Sequence, residues 1–325
     1  MTSGQDQVQA TAQEFAPSPA GAVAADIPAN NGPTAIALAR LRKDKGAMFG
    51  AVVVCFMVLV ALAAPLLTAL NGHDPLATDS STLNDELGGV PNGSFGGVSG
   101  SHWFGVEPGT GRDLFSRIVY GARVSLGISL SATLVTLFLG TVLGATAGFF
   151  PGKIDMVVSR VMDYLLAFPS LLFTISLIGV LDIPRWVLIP LVLGGLGWPY
   201  VGRLIRTLVL GLREKEFVDA ARVSGASEWR ILFKEILPNL TGPVLTYASL
   251  VIPGYVLAEA ALSFLGLGIP QPTPSWGAML SDAINWYIPD PTYLAVPGLS
   301  LFLTVYAFNL LGDGVSAAFD PKSRS

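Results

Sequence analysis

The side chains that could support catalysis or hold a metal are few, and their spacing fits no catalytic pattern. The two histidines, His73 and His102, lie 29 residues apart outside the apolar runs, so they cannot form an intramembrane H-E-x-x-H zinc pair. Gly152-Lys153 is the only Gly-Lys pair, and it lacks the glycine-rich loop and the following Ser or Thr of a Walker A motif. We therefore predict no catalytic residues, no metal or cofactor bound by this chain, and ATP hydrolysis, where needed, on another subunit.

Composition places the chain in a membrane. Hydrophobic residues make up 51% of it and charged residues 13%, about half of the roughly 25% that is usual in soluble domains. The single cysteine, Cys55, lies in an apolar run and cannot form an internal disulfide. The net charge is −4 and no large basic block occurs. We predict an all-α integral membrane protein that contacts lipid and has no nucleic-acid partner.

Six apolar runs are long enough to cross about 30 Å of hydrocarbon as helices. They are Met48 to about Leu70 and, approximately, 124–148, 156–181, 187–210, 241–267 and 293–312. The first 33 or so residues are rich in Ala, Pro, Ser, Gly and Gln and cannot bury enough surface to fold. The predicted segments are a disordered tail (1–39), a first transmembrane helix (40–70), an outer segment (71–123), a five-helix core (124–315) with an inner loop at 211–240, and a C-terminal tail (316–325).

The basic residues predict the orientation. Arg40, Arg42, Lys43 and Lys45 stand directly before the first run, where positive charge holds a segment in the cytoplasm. Six spans from that start leave four of the 19 Lys and Arg on the outer side. Those four are Arg112, Arg117, Arg123 and Arg185. Both termini and the loop at 211–240 are therefore predicted to be cytoplasmic.

Charged residues inside the spans are candidates for function because burying a charge in lipid is costly. Asp163 in the third span and Glu259 in the fifth must each face protein or a water-filled cavity. A pathway or gate position is open for both, and for Glu259 a satisfied interhelical hydrogen bond is the alternative. Arg203 and Arg206, one turn apart at the inner end of the fourth span, are expected to snorkel toward the headgroups.

The segment DAARVSGASEWRILFKEILPN, from Asp219 to Asn239, is charged although apolar spans flank it. Its paired alanines allow close backbone approach, and Gly225 supplies a turn or a close contact that a side chain would obstruct. Ser227 is expected to cap a second short helix. It has no histidine on its side of the membrane that could activate it as a nucleophile.

In that second helix, Trp229, Leu232 or Phe233, and Ile236 recur at helical spacing, and Pro238 is expected to end the helix. The predicted result is a helix-turn-helix with one apolar stripe and a charged rim. A solvated loop is the plain alternative, but a loop needs neither a Trp nor an amphipathic stripe. The segment is therefore predicted to dock on a partner.

The order D/E-A-A, three residues, Gly and then I-L-P resembles the EAA loop of the permease subunits of bacterial ABC importers, with Asp219 where Glu is usual. In that family the loop forms a coupling helix that sits in a cleft of the cytoplasmic ATPase subunit and transmits ATP-driven closure to the membrane helices. The resemblance implies that the ATPase-coupling residues are Asp219, Ala220, Ala221, Gly225, Ala226, Ser227, Glu228, Trp229, Arg230, Leu237 and Pro238.

Further segments are similar to the peptide/nickel branch of that family, and in particular to the C component of dipeptide and oligopeptide permeases. They are HWFGVEPGTGRDLFSRIVYGARVSL from His102, SFLGLGIPQPTPSWG and NLLGDGVSAAFDP. The resemblance covers about residues 40 to 321. Val106 and Glu107 replace the commoner Thr-Asp, while the core Gly111-Arg112-Asp113 is intact. For this core, an acid–base pair that fixes an irregular extracytoplasmic loop is favoured over direct substrate contact.

The resemblance implies a type I ABC importer permease fold of six transmembrane helices in a bacterial cytoplasmic membrane. The implied partners are a homologous second permease subunit (a heterodimer), two ATPase domains that carry the ATP and Mg, and an extracytoplasmic solute-binding protein. The implied function is half of a translocation pathway for di- or oligopeptides or a related small solute. The alternative is a self-contained secondary transporter or channel, which usually carries an internal repeat that we do not find in the sequence.

Overall fold

Helices dominate the computed structural model of the chain, which describes residues 33–319. The chain divides into a unit of Met1–Ile36 and a unit of Ala37–Ser325, and the side chains discussed below belong to the second unit. Most of the tail predicted at 1–39 and of the tail predicted at 316–325 lies outside the described residues. The helices are α1 (Pro33–Leu41), α2 (Lys45–Leu62), α3 (Ala64–Asn71), α4 (Leu114–Phe149), α5 (Lys153–Ala167), α6 (Ser170–Val180), α7 (Arg185–Leu212), α8 (Glu216–Val223), α9 (Glu228–Arg230), α10 (Thr241–Phe264), α11 (Trp276–Ala283) and α12 (Pro291–Phe319).

Within residues 33–319, five helices are long and apolar enough to cross a membrane, and the bent pair α5 and α6, counted as one span, brings the number to six. The predicted all-α fold with six spans is therefore confirmed, while two of its boundaries are wrong. The first span begins at Lys45, where Asp44 accepts a hydrogen bond from the Ala47 amide at 3.1 Å, and residues 33–39 are helical. The second span begins at Leu114, ten residues before the predicted start, because α4 includes Arg117 and Arg123.

The third span, predicted as one run over 156–181, is broken. Helices α5 and α6 meet at Phe168-Pro169 with a bend of 89°. Proline disfavours helical backbone in the residue before it, and Phe168 is extended with ψ 140°. Helix α6 therefore sets off in a new direction halfway through the span.

Helices α4 and α7 form the most extensive helix pair of the fold, and glycines bring them together. Gly140, Gly144 and Gly148 recur every fourth residue on the face of α4 that meets α7. A Cβ atom on Gly144 would lie 2.4 Å from the carbonyl oxygen of Gly202. Small residues at this spacing let membrane helices approach to backbone contact.

Two apolar clusters fix the ends of the bundle. Outer and inner below refer to the two sides of the membrane in the predicted orientation. The outer cluster joins α2, α4 and α10 to α11 and α12 through buried side chains such as Trp276 and Tyr293. The inner cluster joins α4 and α7 to α8 and to residues 231–240 through Val201, Ile205 and Val218. The segment singled out in the sequence is thus packed on α7.

Candidate functional sites

Helix α8 carries the Asp219-Ala220-Ala221 triplet and presents its end to solvent. Asp219 pairs with Arg222 at 3.3 Å on the exposed side, while Ala221 packs on the inner cluster. Gly225, which follows the helix, has φ +80°, and a Cβ atom there would meet nothing within 4 Å. Glycine is therefore required by the left-handed backbone and not by crowding within this chain.

Ser227 begins the second part of the segment as expected, since its hydroxyl accepts a hydrogen bond from the Arg230 amide at 3.4 Å. The apolar residues that follow do not form a single stripe. Leu232 and Ile236 are buried in the inner cluster, whereas Trp229 and Phe233 are 54% and 50% exposed and stack on each other at a centroid distance of 5.9 Å. The predicted stripe therefore divides into a buried half and an exposed aromatic edge.

Pro238 does not end the helix, contrary to the prediction. The chain continues from α9 through a π-helical stretch, Ile231–Ile236, and a 3-10 stretch, Leu237–Leu240, into α10. Pro238 lies near the start of the 3-10 stretch, where its missing N–H costs little. The segment and the fifth span thus form one helical path, Glu228–Phe264.

An exposed apolar corner was missed in the sequence. Val223, the last residue of α8, is 90% exposed, and Trp229, six residues further along the chain, is 54% exposed. Among their neighbours, Ala220, Glu228 and Arg230 are also exposed. We name the residues 219–230 together with Phe233 the corner segment. Large apolar side chains exposed next to charged ones mark a surface that another protein covers.

Two ion pairs join α5 to α7 near the inner side. Arg206 donates to both carboxylate oxygens of Asp155, at 2.5 and 2.8 Å, and Arg203 donates to Asp163 at 2.7 Å. The expectation that both arginines snorkel to headgroups is therefore wrong. The side chains of Arg203 and Asp163 remain 55% and 52% exposed.

Arg203 shares one side of α7 with polar or aromatic residues at both ends of the helix, whereas the stretch between Arg185 and Tyr200 is apolar on that side and includes the fully buried Ile189. A helix turns by about 100° per residue, so Arg185, Tyr200, Arg203 and Thr207 fall within an arc of about 60°. Arg185 and Thr207 are separated by roughly 33 Å along the axis, which is about the thickness of the hydrocarbon layer. The buried Ile205 lies on the opposite side. We name this the α7 face.

Two cavities border the α7 face. The middle one, about 390 Å³, lies between α6, α7 and α10 and is lined by Ser170, Gly197, Tyr200 and Tyr255 among others. The outer one, about 820 Å³, lies between α4, the start of α7 and the segment around Pro270. Because α6 is tilted by the break at Pro169, its first residues border the middle cavity instead of continuing α5.

Glu259 is fully buried within this chain. Its carboxylate accepts a hydrogen bond from the Ser263 hydroxyl of the same helix at 2.6 Å. Ser125 of α4 and Ser275, which precedes α11, also interact with this carboxylate, which favours the interhelical alternative. A pathway or gate position for Glu259 and Asp163 stays a prediction, and Asp163 lies on the exposed side of α5 beside the α7 face.

The Gly111-Arg112-Asp113 core lies in an outer network. Asp113 caps α4 by accepting from the Ser116 amide at 2.8 Å and also accepts from Asn71 at 2.8 Å and His102 at 3.0 Å. Gly111 has φ +68°, and a Cβ atom there would lie 1.9 Å from the carbonyl oxygen of Asp79. The antiparallel pair β1 (Leu83–Asn84) and β2 (Val90–Pro91) is the described sheet of this segment.

Glu107 connects several side chains of that network, and no sequence pattern predicted this role. The buried carboxylate of Glu107 accepts hydrogen bonds from Arg112 and from the hydroxyl of Tyr293, and Arg117 lies 3.5 Å away. Tyr293 is 186 residues further along the chain. Glu107 and Asp282 line a third cavity, which we name the Glu107 pocket. Burial, with the Glu107 charge as the second cause, raises the pKa of Asp282. Arg112 is thus held by an acid–base pair within the loop.

The fold and these sites define an all-helical, multi-pass membrane protein with a solvent-facing corner segment. Residues 140–325 match the family described as "Binding-protein-dependent transport system inner membrane component", and residues 32–86 match the "N-terminal TM domain of oligopeptide transport permease C". The chain belongs to the binding-protein-dependent transport system inner membrane component family.

Curated relatives match along most of their length. The dipeptide transport system permease protein DppC of Alkalihalophilus pseudofirmus is 39% identical over 89% of this chain and 90% of its own length. The oligopeptide transport system permease protein OppC of Haemophilus influenzae is 35% identical over 88% of this chain and 87% of its own length. A solved structure of the MetNI methionine ABC transporter in inward-facing conformations covers 63% of this chain at 21% identity with a TM-score of 0.47.

Proposed function

We propose that this chain forms half of the translocation pathway of an ATP-driven importer of di- or oligopeptides and couples to a separate ATPase through its corner segment. It is a permease subunit by family, and its relatives are named for dipeptide and oligopeptide transport. The observation that carries the coupling is the exposure of the corner segment, in which Val223 is 90% exposed and Trp229 is 54% exposed beside charged residues. Such a surface fits a cleft on a partner protein.

The α7 face supports the pathway half of the proposal. Arg203 and Asp163 are half exposed roughly 13 Å from the inner end of α7, a depth at which contact with lipid is costly for charges. An aqueous cavity, shared with a second permease subunit, removes this cost. The middle cavity continues the same face outward.

The proposal includes three kinds of partner. A homologous permease subunit closes the α7 face into a pathway, and a solute-binding protein delivers peptide to the outer side. Two ATPase domains, which carry the ATP and Mg, dock on the inner side. Both termini of this chain are then cytoplasmic, and the chain itself performs no catalysis. The corner segment moves with the ATPase when ATP binding draws the two domains together, and α10 moves with it because the helical path is continuous from Glu228.

The test compares Gly225→Asp with Gly266→Asp. Both glycines have positive φ, +80° and +76°, and at neither would a Cβ atom meet anything within 4 Å. The backbone strain is therefore matched, while Gly266 lies on the outer side. After purification from the native membrane in mild detergent, we expect the ATPase to co-purify with wild type and with Gly266→Asp and to fall at least tenfold with Gly225→Asp.

Two results would contradict the proposal. If Gly225→Asp retains the ATPase and transports peptide normally, the corner segment is not the coupling site. If the chain alone transports substrate in liposomes without ATP, the secondary-transporter alternative replaces the importer. Equal loss of the ATPase in both variants would show that backbone strain, and not docking, is responsible.

A further inference from the structure

The outer cavity is the larger of the two that border the α7 face. Its volume of about 820 Å³ falls in the range of small-molecule sites. Its wall combines aromatic and polar side chains from three parts of the chain. These include Tyr120, Arg123 and Ser131 of α4, Arg185 and Trp186 of α7, and Thr273.

The charged side chains that line this cavity are all basic. Arg123 is exposed, and within residues 33–319 its guanidinium has no hydrogen-bond or ion-pair partner. Arg185 donates one hydrogen bond, from Nη1 to the carbonyl oxygen of Ile178 at 2.9 Å, which leaves its other N–H groups available. No Asp or Glu of the described chain is among the lining residues. Two guanidinium groups thus border one cavity without a counter-charge.

Arginine is the side chain best suited to an oxyanion. Its planar fork matches the two oxygens of a carboxylate or a phosphate, and its charge persists at all physiological pH values. Partial removal from water in a cavity strengthens the interaction relative to a flat surface. The cavity therefore selects for a ligand that carries one anionic group on a partly apolar body.

We propose that the outer cavity binds the C-terminal carboxylate of a peptide at the mouth of the pathway, through Arg123 and Arg185. This deepens the proposed function and rests on it. The position of the outer cavity is the reason for assigning a peptide as its ligand. Arg185 lies on the α7 face, in line with Tyr200 beside the middle cavity and with Arg203 beyond it. A ligand held at Arg185 is therefore at the outer end of the side of α7 on which Tyr200 and Arg203 lie further inward.

A lipid phosphate has the same chemistry and is the competing source. The two sources separate experimentally because the peptide carboxylate can be replaced by an amide and the lipid can be varied independently. The complete complex is reconstituted with ATP and its solute-binding protein, and uptake of a free-acid peptide is compared with uptake of the same peptide with an amidated C-terminus. Both peptides are supplied at concentrations that saturate the binding protein, so its own preference cancels between wild type and variants.

Arg123→Gln and Arg185→Gln should each lower free-acid uptake at least tenfold and leave amide uptake within twofold of wild type. Arg123→Lys keeps the positive charge and loses the planar guanidinium, so its uptake of the free-acid peptide should lie between that of wild type and that of Arg123→Gln. An equal decrease for both peptides would overturn the proposal. So would a decrease that appears only in vesicles containing anionic lipid and not in zwitterionic phosphatidylcholine, because the arginines would then act on a headgroup with net negative charge. Failure of the wild-type complex to import either peptide would instead refute the proposed function.

Discussion

Replacing Gly144 with alanine tests whether the α4–α7 contact holds the bundle together. The added Cβ atom would lie 2.4 Å from the carbonyl oxygen of Gly202 and 2.9 Å from its Cα atom. Ordinary contacts of a Cβ atom begin at 3.4 Å, so the oxygen is too close by about 1 Å. Both neighbours are backbone atoms of α7, which cannot rotate away. Relief requires the two helices to separate.

The loss of folding free energy caused by Gly144→Ala can be estimated from that separation of the helices. A gap of 0.5–1 Å forfeits about a quarter to a half of each packing contact along the pair, and overpacking of this kind costs about 1–3 kcal/mol. Alanine recovers roughly 0.5–1 kcal/mol because it is a better helix former than glycine. For 325 residues the unfolding entropy is roughly 0.68 kcal/mol/K, so a net loss of about 1–2 kcal/mol lowers the Tm by roughly 1.5–3 °C.

The measurement is thermal unfolding of the purified protein in detergent, followed by size-exclusion chromatography after heating. Gly195→Ala is the matched control, because Gly195 lies in α7 and a Cβ atom there would meet nothing within 4 Å. We expect the Tm of Gly195→Ala to equal or exceed that of wild type, and the Tm of Gly144→Ala to be lower than that of wild type. A Tm of Gly144→Ala within 1 °C of the control would refute the packing argument.

Two further predictions concern the α7 face and the Glu107 pocket. The first prediction uses a Cys55→Ser background and a water-soluble thiol reagent. The reagent should label Thr207→Cys at least tenfold faster than Leu191→Cys, since Leu191 is exposed on another side of α7. Equal labelling rates would place Thr207 in lipid. Burial, followed by the nearby Glu107, raises the pKa of Asp282, so the protonated form stabilises the fold at low pH and that contribution is lost as the pH rises through the folded-state pKa. Asp282→Asn keeps a hydrogen-bond acceptor for Gln271. At pH 7 the variant should have a higher Tm than wild type, and this Tm difference should disappear near pH 4. A Tm difference that stays constant across this pH range would show that the charge of Asp282 is not its cause.

The sequence predicted the elements better than their ends. Hydropathy predicted six spans, but charged residues in α4 led to a late start because their partners are distant. Arg117, for example, donates to the carbonyl oxygen of Pro272, 155 residues away. Pro169 was visible as an interruption, yet the 89° bend depends on what packs around it. The spacing of Gly140, Gly144 and Gly148 was also readable, whereas the identity of the facing helix was not.

The candidate sites divide in the same way. Local features of the corner segment, such as the Ser227 cap, follow from neighbouring residues and were predicted. Trp229 and Phe233 were wrongly predicted to share one apolar stripe with Leu232 and Ile236. The spacing of apolar residues in a helix does not reveal which of them the inner cluster buries. The ion pairs of Asp155 and Asp163 with α7 link residues 40 or more positions apart. No local pattern specifies such pairs.

Helix α7 lies between the corner segment and the proposed pathway, and its two sides explain how they are linked. Its buried side packs through Val201, Ile205 and Val209 against Val218, Ile231 and Leu232 of the inner cluster. Its opposite side is the α7 face. A close-packed apolar cluster is hardly compressible, so a displacement of the corner segment moves α7 as a body and does not dissipate in the contact. If the proposed function holds, the Arg206–Asp155 and Arg203–Asp163 pairs must then either follow α7 or break when the ATPase docks.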